Sequence, residues 1–150
     1  MPRSPGDALQ QVERVCQGLK ERFGAGTPGD QGAQLRWEWD GGFSAALAVA
    51  TDPQHHAVLA ALEELFAERW DHQRVREAPA RIARLCADCG GLRPGQLMLT
   101  LEPDDDPLLF VLWWPWGCGT KVSLRVGCEA TADEARALEP LALLKRCFGI

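Results

Sequence analysis

Hydrophobic and polar positions alternate most regularly between Leu97 and Val126, and that stretch predicts three consecutive β-strands. Leu97, Leu99 and Leu101 alternate with Gln96, Met98 and Thr100, the period of two that turns successive side chains to opposite faces of a sheet. Residues 108–114 (LLFVLWW) are apolar on both sides, as a central strand requires, and Val122, Leu124 and Val126 then alternate with Lys121, Ser123 and Arg125. The connections are short, so neighbouring strands must run antiparallel and the three form a meander. Residues 35–40 (LRWEWD) alternate as well, setting Leu35, Trp37 and Trp39 against Arg36, Glu38 and Asp40. Asp40-Gly41-Gly42 follows with the residue types of a tight type I′ hairpin turn, and FSAALAVA is the returning strand despite alanine's preference for helix.

The remaining segments carry apolar residues at spacings of three and four. Leu9, Val12, Cys16, Leu19 and Phe23 line one face of an N-terminal helix that Ser4 can cap and Pro5 can open. A flexible connector spans residues 24–34. Asp52-Pro53 starts a second helix whose face includes Val58, Leu59, Leu62, Leu65, Phe66 and Trp70, and a third runs from about Pro79 to Cys89, stopped by Gly90-Gly91. Thr131 with Glu134 forms a capping box for a closing helix that Pro140 should kink or restart. These elements predict one α+β domain over residues 1–150: an antiparallel sheet of about five strands, a hairpin plus a three-strand meander, with helices packed on one face.

Composition narrows the class without naming a reaction. A hydrophobic fraction of 46% and a charged fraction of 25% are those of an ordinary globular chain. The longest apolar run, residues 108–114, is far short of the roughly 20 residues a membrane-spanning helix needs. With no secretory leader in the pattern, the six cysteines read as free thiols, and the expected location is the cytoplasm, or the nucleus in a eukaryote. The net charge of −5 argues against nucleic acid as a partner. The strings GxxxxGK[ST], HExxH and GxSxG are absent, and no GxGxxG follows a strand, which leans the reading away from an enzyme.

Four sets of residues remain as candidate chemistry. Trp113 and Trp114 point to opposite sides of one strand, and Trp116 lies in the connection after it, where an exposed indole suits a protein partner. Six arginines between Arg69 and Arg93 outnumber the three acids there, and Arg74, Arg81 and Arg84 share one helical face if the helix reaches back that far. Cys86-Ala-Asp-Cys89-Gly-Gly resembles half of a zinc ribbon and gives the alternative of a metal-binding or thiol-redox protein, though no second CxxC completes four ligands. The acidic run 102–107 lacks the ligand spacing of a calcium loop. The favoured expectation is a non-catalytic binding module (a subunit, adaptor, small chaperone or inhibitor) without a cofactor. It would dock a protein partner through Trp113, Trp114, Trp116, Arg74, Arg81 and Arg84. A homodimer through the N-terminal helix stripe is a second arrangement.

Overall fold

Period-two apolar runs and short turns resolve into six strands, all paired antiparallel in one sheet of order β1-β2-β6-β5-β4-β3. The computed structural model describes residues 5–23, 35–51, 54–104, 107–129 and 134–150. In chain order the elements are α1 (Pro5–Phe23), β1 (Glu38–Asp40), β2 (Ala45–Thr51), α2 (Gln54–Leu65) and β3 (Glu68–Trp70). They continue with a single 3-10 turn (Arg74–Glu77), α3 (Ala80–Asp88), β4 (Leu97–Thr100), β5 (Leu108–Pro115), β6 (Lys121–Glu129) and α4 (Glu134–Phe148). The meander β4-β5-β6 is present as the alternation predicts, and the β1-β2 hairpin joins it by pairing β2 with β6, Ala46 opposite Val126 and Ala50 opposite Val122. Ser4, Asp52-Pro53, Thr131, the connector 24–34 and the two central acids of the 102–107 turn lie outside the described residues.

The sheet has six strands where the sequence predicts about five, and the sixth corrects the second helix. Trp70 continues the apolar spacing of α2 in sequence, yet α2 ends at Leu65 and residues 68–70 form a strand against β4. The side chain explains the departure. Trp70 packs on the sheet face opposite to α2, and its Nε1 donates to the buried Thr100 Oγ1 at 3.1 Å. A helical continuation would leave that hydroxyl inside without a partner, at about 1–3 kcal/mol.

Two cores lie on opposite sides of the sheet. On the first, α1, α2 and α4 cover Leu97, Leu99, Leu109, Val111, Trp113, Val122, Leu124 and Val126. Ala46, Ala48 and Ala50 of β2 face the same way, and their small side chains let α2 and α4 approach this part of the sheet closely. Trp37 stacks on Phe148 of α4 with ring centroids 4.2 Å apart, and the Lys145 ammonium lies 4.6 Å over Trp39, which pins β1 to the closing helix. On the second face the 3-10 turn and α3 cover only the β3-β4-β5 end, burying Ile82, Leu85 and Cys86 against Met98, Leu108, Phe110 and Leu112. Glycine stops α3 as predicted: Gly91 N donates to Cys86 O at 2.8 Å, with Gly90 and Gly91 both at positive φ. No helix among the described residues is long and apolar enough to cross a membrane.

Candidate functional site

Incomplete cover on the second face leaves β1, β2, β6 and the exit of β5 open among the described residues, and the chemistry of the surface concentrates there. Register places the side chains. Arg125 lies opposite Leu47 on one side and Leu112 on the other, and Ser123 lies between Val49 and Trp114. The turn 41–44 brings Phe43 over the same area, with Ser44 at a φ of 50° closing it. Phe43 and Val49 are 36% and 37% exposed, and Trp116 is 42% exposed, the highest of the large apolar residues among those described.

Asp40 organises this patch. Its Oδ1 accepts from the backbone N–H of Gly42 at 3.0 Å and of Phe43 at 3.4 Å, which shapes the turn. Its Oδ2 accepts from Arg125 Nε at 2.9 Å, the two side chains being 19% and 16% exposed. The hydrogen bond from the Arg125 guanidinium holds the Asp40 carboxyl below its ordinary range; burial opposes it less strongly, and the two turn amides add to the lowering. Phe43 and Trp114 flank the guanidinium, with ring centroids 4.8 and 4.9 Å from Cζ, and the two rings meet edge to face at 5.4 Å. A cation held between aromatic faces and a carboxylate has few ways to move. Beside it Trp116 donates from Nε1 to Ser123 Oγ at 2.7 Å, and the Lys121 ammonium lies 5.0 Å over its ring. Trp114 Nε1 is enclosed and meets no acceptor among the described residues.

The residues singled out from sequence fall into different places. Trp114 and Trp116 share the open face, whereas Trp113, opposite in phase, is only 4% exposed and belongs to the helix-covered core. The three arginines do not come together as one face. Arg74 belongs to the 3-10 turn, where it pairs with Glu68 at 2.7 Å, donates to the Arg69 carbonyl and lies 4.2 Å over Trp70. Arg81 turns inward and donates to the carbonyls of Pro103 and Glu129, both at 3.2 Å, tying α3 to the turn after β4 and to the end of β6. Arg84 is exposed on α3. Pro79 separates the 3-10 turn from α3, so a shared helical stripe cannot form.

Cys86 and Cys89 end α3 in apolar surroundings. Cys86 Sγ contacts Met98 Sδ at 3.5 Å, and burial, then the neighbouring Cys89, pushes its thiol up to about 11. Burial raises Cys89 too. Both shifts disfavour the thiolate that metal binding or redox chemistry uses. No group of three or more His, Cys, Asp or Glu among the described residues is placed to hold a metal ion.

Sequence reasoning missed Phe43, Asp40 and Arg125. The alternation of KVSLRV does set Arg125 and Ser123 on the non-core face, and that is the one signal available. Asp40 and Arg125 are 85 residues apart and meet only because β2 pairs with β6. No protein-family model, curated protein or solved structure matches the chain.

Proposed function

We propose that the chain is a protein-binding module, a subunit or adaptor that docks a segment of a protein partner on the open face of β1, β2 and β6. The observation that carries the reading is the exposed set Phe43, Val49 and Trp116 around a restrained Arg125. Tryptophan and arginine are the residues most enriched where binding energy concentrates, and a rigid arrangement loses little side-chain entropy on docking. An aromatic turn and three strands offer a shallow platform rather than an enclosed pocket, which suits a macromolecule better than a small substrate. Six free thiols support work in a reducing compartment, the cytoplasm.

Trp116→Ala and Val49→Ser test it, because both side chains are largely outside the core. A partner identified by affinity capture from the source cells, purified and titrated against the full chain, should lose at least about tenfold in affinity to Trp116→Ala. The thermal midpoint of the variant should stay within a few degrees of the parent. An unchanged affinity for both variants would move the docking surface elsewhere.

A further inference from the structure

We infer that Arg125 is the carboxylate-receiving anchor of this face, and that the occupant is an extended acidic protein segment. An Asp or Glu of that segment would meet the guanidinium while an adjacent apolar side chain lies on Phe43, Val49 or Trp116. The inference rests on the docking reading above and adds the chemistry of what docks.

Three observations support it. First, Asp40 engages Arg125 through Nε alone, so the two Nη groups keep their hydrogens for another acceptor. They make no hydrogen bond to the described residues and are not sealed from solvent. Two parallel N–H donors at this spacing match a carboxylate. Second, the guanidinium is already oriented by Asp40, Phe43 and Trp114, so little ordering remains for binding to supply. Third, the local charge differs from the global one. Lys121 and Arg125 stand against Asp40 and Glu38, the latter in register with Leu47 and Arg125, so this face is close to charge-balanced on a chain whose net charge is −5. An acidic segment with one carboxylate for Arg125 meets less repulsion here than elsewhere on the surface, whereas a phosphate-rich polymer or an anionic membrane needs many more cations and would meet repulsion from the rest of the surface.

Random dodecapeptides displayed on phage and selected against the full chain provide the probe. Selected peptides are then synthesised and titrated by the fluorescence of the native tryptophans. The expected peptides carry an Asp or Glu next to an aromatic or aliphatic residue, and lose binding to the Trp116→Ala chain. Changing that peptide acid to its amide should weaken binding to the parent protein about tenfold or more, as removal of a charged hydrogen bond does. The same change should matter little to Arg125→Gln, and Arg125→Lys, which keeps the charge without the fork, should fall between. The amide comparison needs no protein variant, so it holds even if Arg125→Gln folds poorly. Peptides that depend on Trp116 but ignore the acid-to-amide change would overturn the Arg125 inference and leave the docking reading standing. Recovery of no peptide, or of peptides indifferent to Trp116→Ala, would overturn both. Sedimentation showing a dimer that Trp116→Ala dissociates would make a second copy the occupant and end the acidic-segment inference.

Discussion

At the scale of single residues, two positions report directly on how the sheet is filled. Gly127 sits opposite Phe110, whose ring lies over it, and a Cβ there would fall 2.5 Å from Phe110 Cζ. The ring is buried in the second-face core and has no free direction to retreat. Gly127→Ala should therefore destabilise the protein by about 1–3 kcal/mol, seen as a lower urea midpoint at constant slope. A midpoint equal to the parent's would mean that Phe110 moves aside freely. Cysteine reactivity separates the thiols just as sharply. Cys118, exposed in the β5-β6 turn, is lowered first by the Thr120 hydroxyl and then by backbone amides. Cys86 and Cys16 are both raised, Cys86 by burial and then by Cys89, and Cys16 by its hydrogen bond to Cys147 and then by burial. Iodoacetamide at neutral pH should mark Cys118 first, with Cys16 and Cys86 protected until denaturant is added. Peptide mass mapping reads the order, and early modification of Cys86 would show that the end of α3 opens in the native state.

At the scale of elements, the β1-β2 hairpin depends on one ionised side chain. Asp40 joins the turn amides to Arg125 across to β6, and its carboxyl titrates below the ordinary 3.8. A depressed carboxyl binds fewer protons folded than unfolded, so its contribution is complete above 3.8 and disappears as pH falls through the lower folded value. Asp40→Asn keeps the turn acceptor but removes the charge. The parent should exceed Asp40→Asn in urea midpoint at pH 5, and the gap should narrow steadily below pH 3.8. A gap independent of pH would show that the pair with Arg125 adds no charge-dependent stability. This hairpin also marks the limit of what the chain states in one dimension. In the meander, β4 and β6 are legible because five or more alternating positions agree, and β5 because its apolar run between two such strands suits a central one. The 68–70 strand is too short to alternate convincingly, and Trp70 happens to fall one turn beyond Phe66. The open face is half legible: Trp116 after a strand reads as exposed, and the phase of Trp113 and Trp114 reads as divided. What the phase does not say is which of the two indoles meets helices. That follows from the pairing of β2 with β6 and from α3 covering only one end, both long-range outcomes.

At the scale of the whole molecule, the order of strands determines how the chain can come apart. β6 lies between β2 and β5, so the N-terminal hairpin and the C-terminal meander share one hydrogen-bonded sheet instead of meeting as two packed units. β5 contributes to both cores, with Leu109, Val111 and Trp113 on one face and Leu108, Phe110 and Leu112 on the other. Loss of β5 from the sheet disrupts both cores at once, and loss of β6 opens the helix-covered core and detaches the hairpin, so the expectation is a single cooperative transition over residues 1–150. Indole reporters exist on either side: Trp113 under the helices and Trp70 against Thr100. Single-tryptophan variants retaining one or the other should give coincident urea curves, matching the loss of helical circular dichroism. Separated midpoints would divide the chain into independently stable parts. The same order of strands sets the tempo. Pairing Thr51 with Lys121 and Ala45 with Gly127 closes loops far longer than any helical contact, and that entropy is lost before the core compensates for it. Refolding should accordingly fall in the millisecond-to-second range of sheets dominated by distant contacts rather than the microseconds of a helical bundle. Leu124→Ala, at the fully buried centre of β6, discriminates between orders of assembly. It should cost about 2–5 kcal/mol at equilibrium. If β6 is already paired in the rate-limiting step, most of that loss appears as slower folding in stopped-flow fluorescence; if β6 joins the sheet later, it appears as faster unfolding.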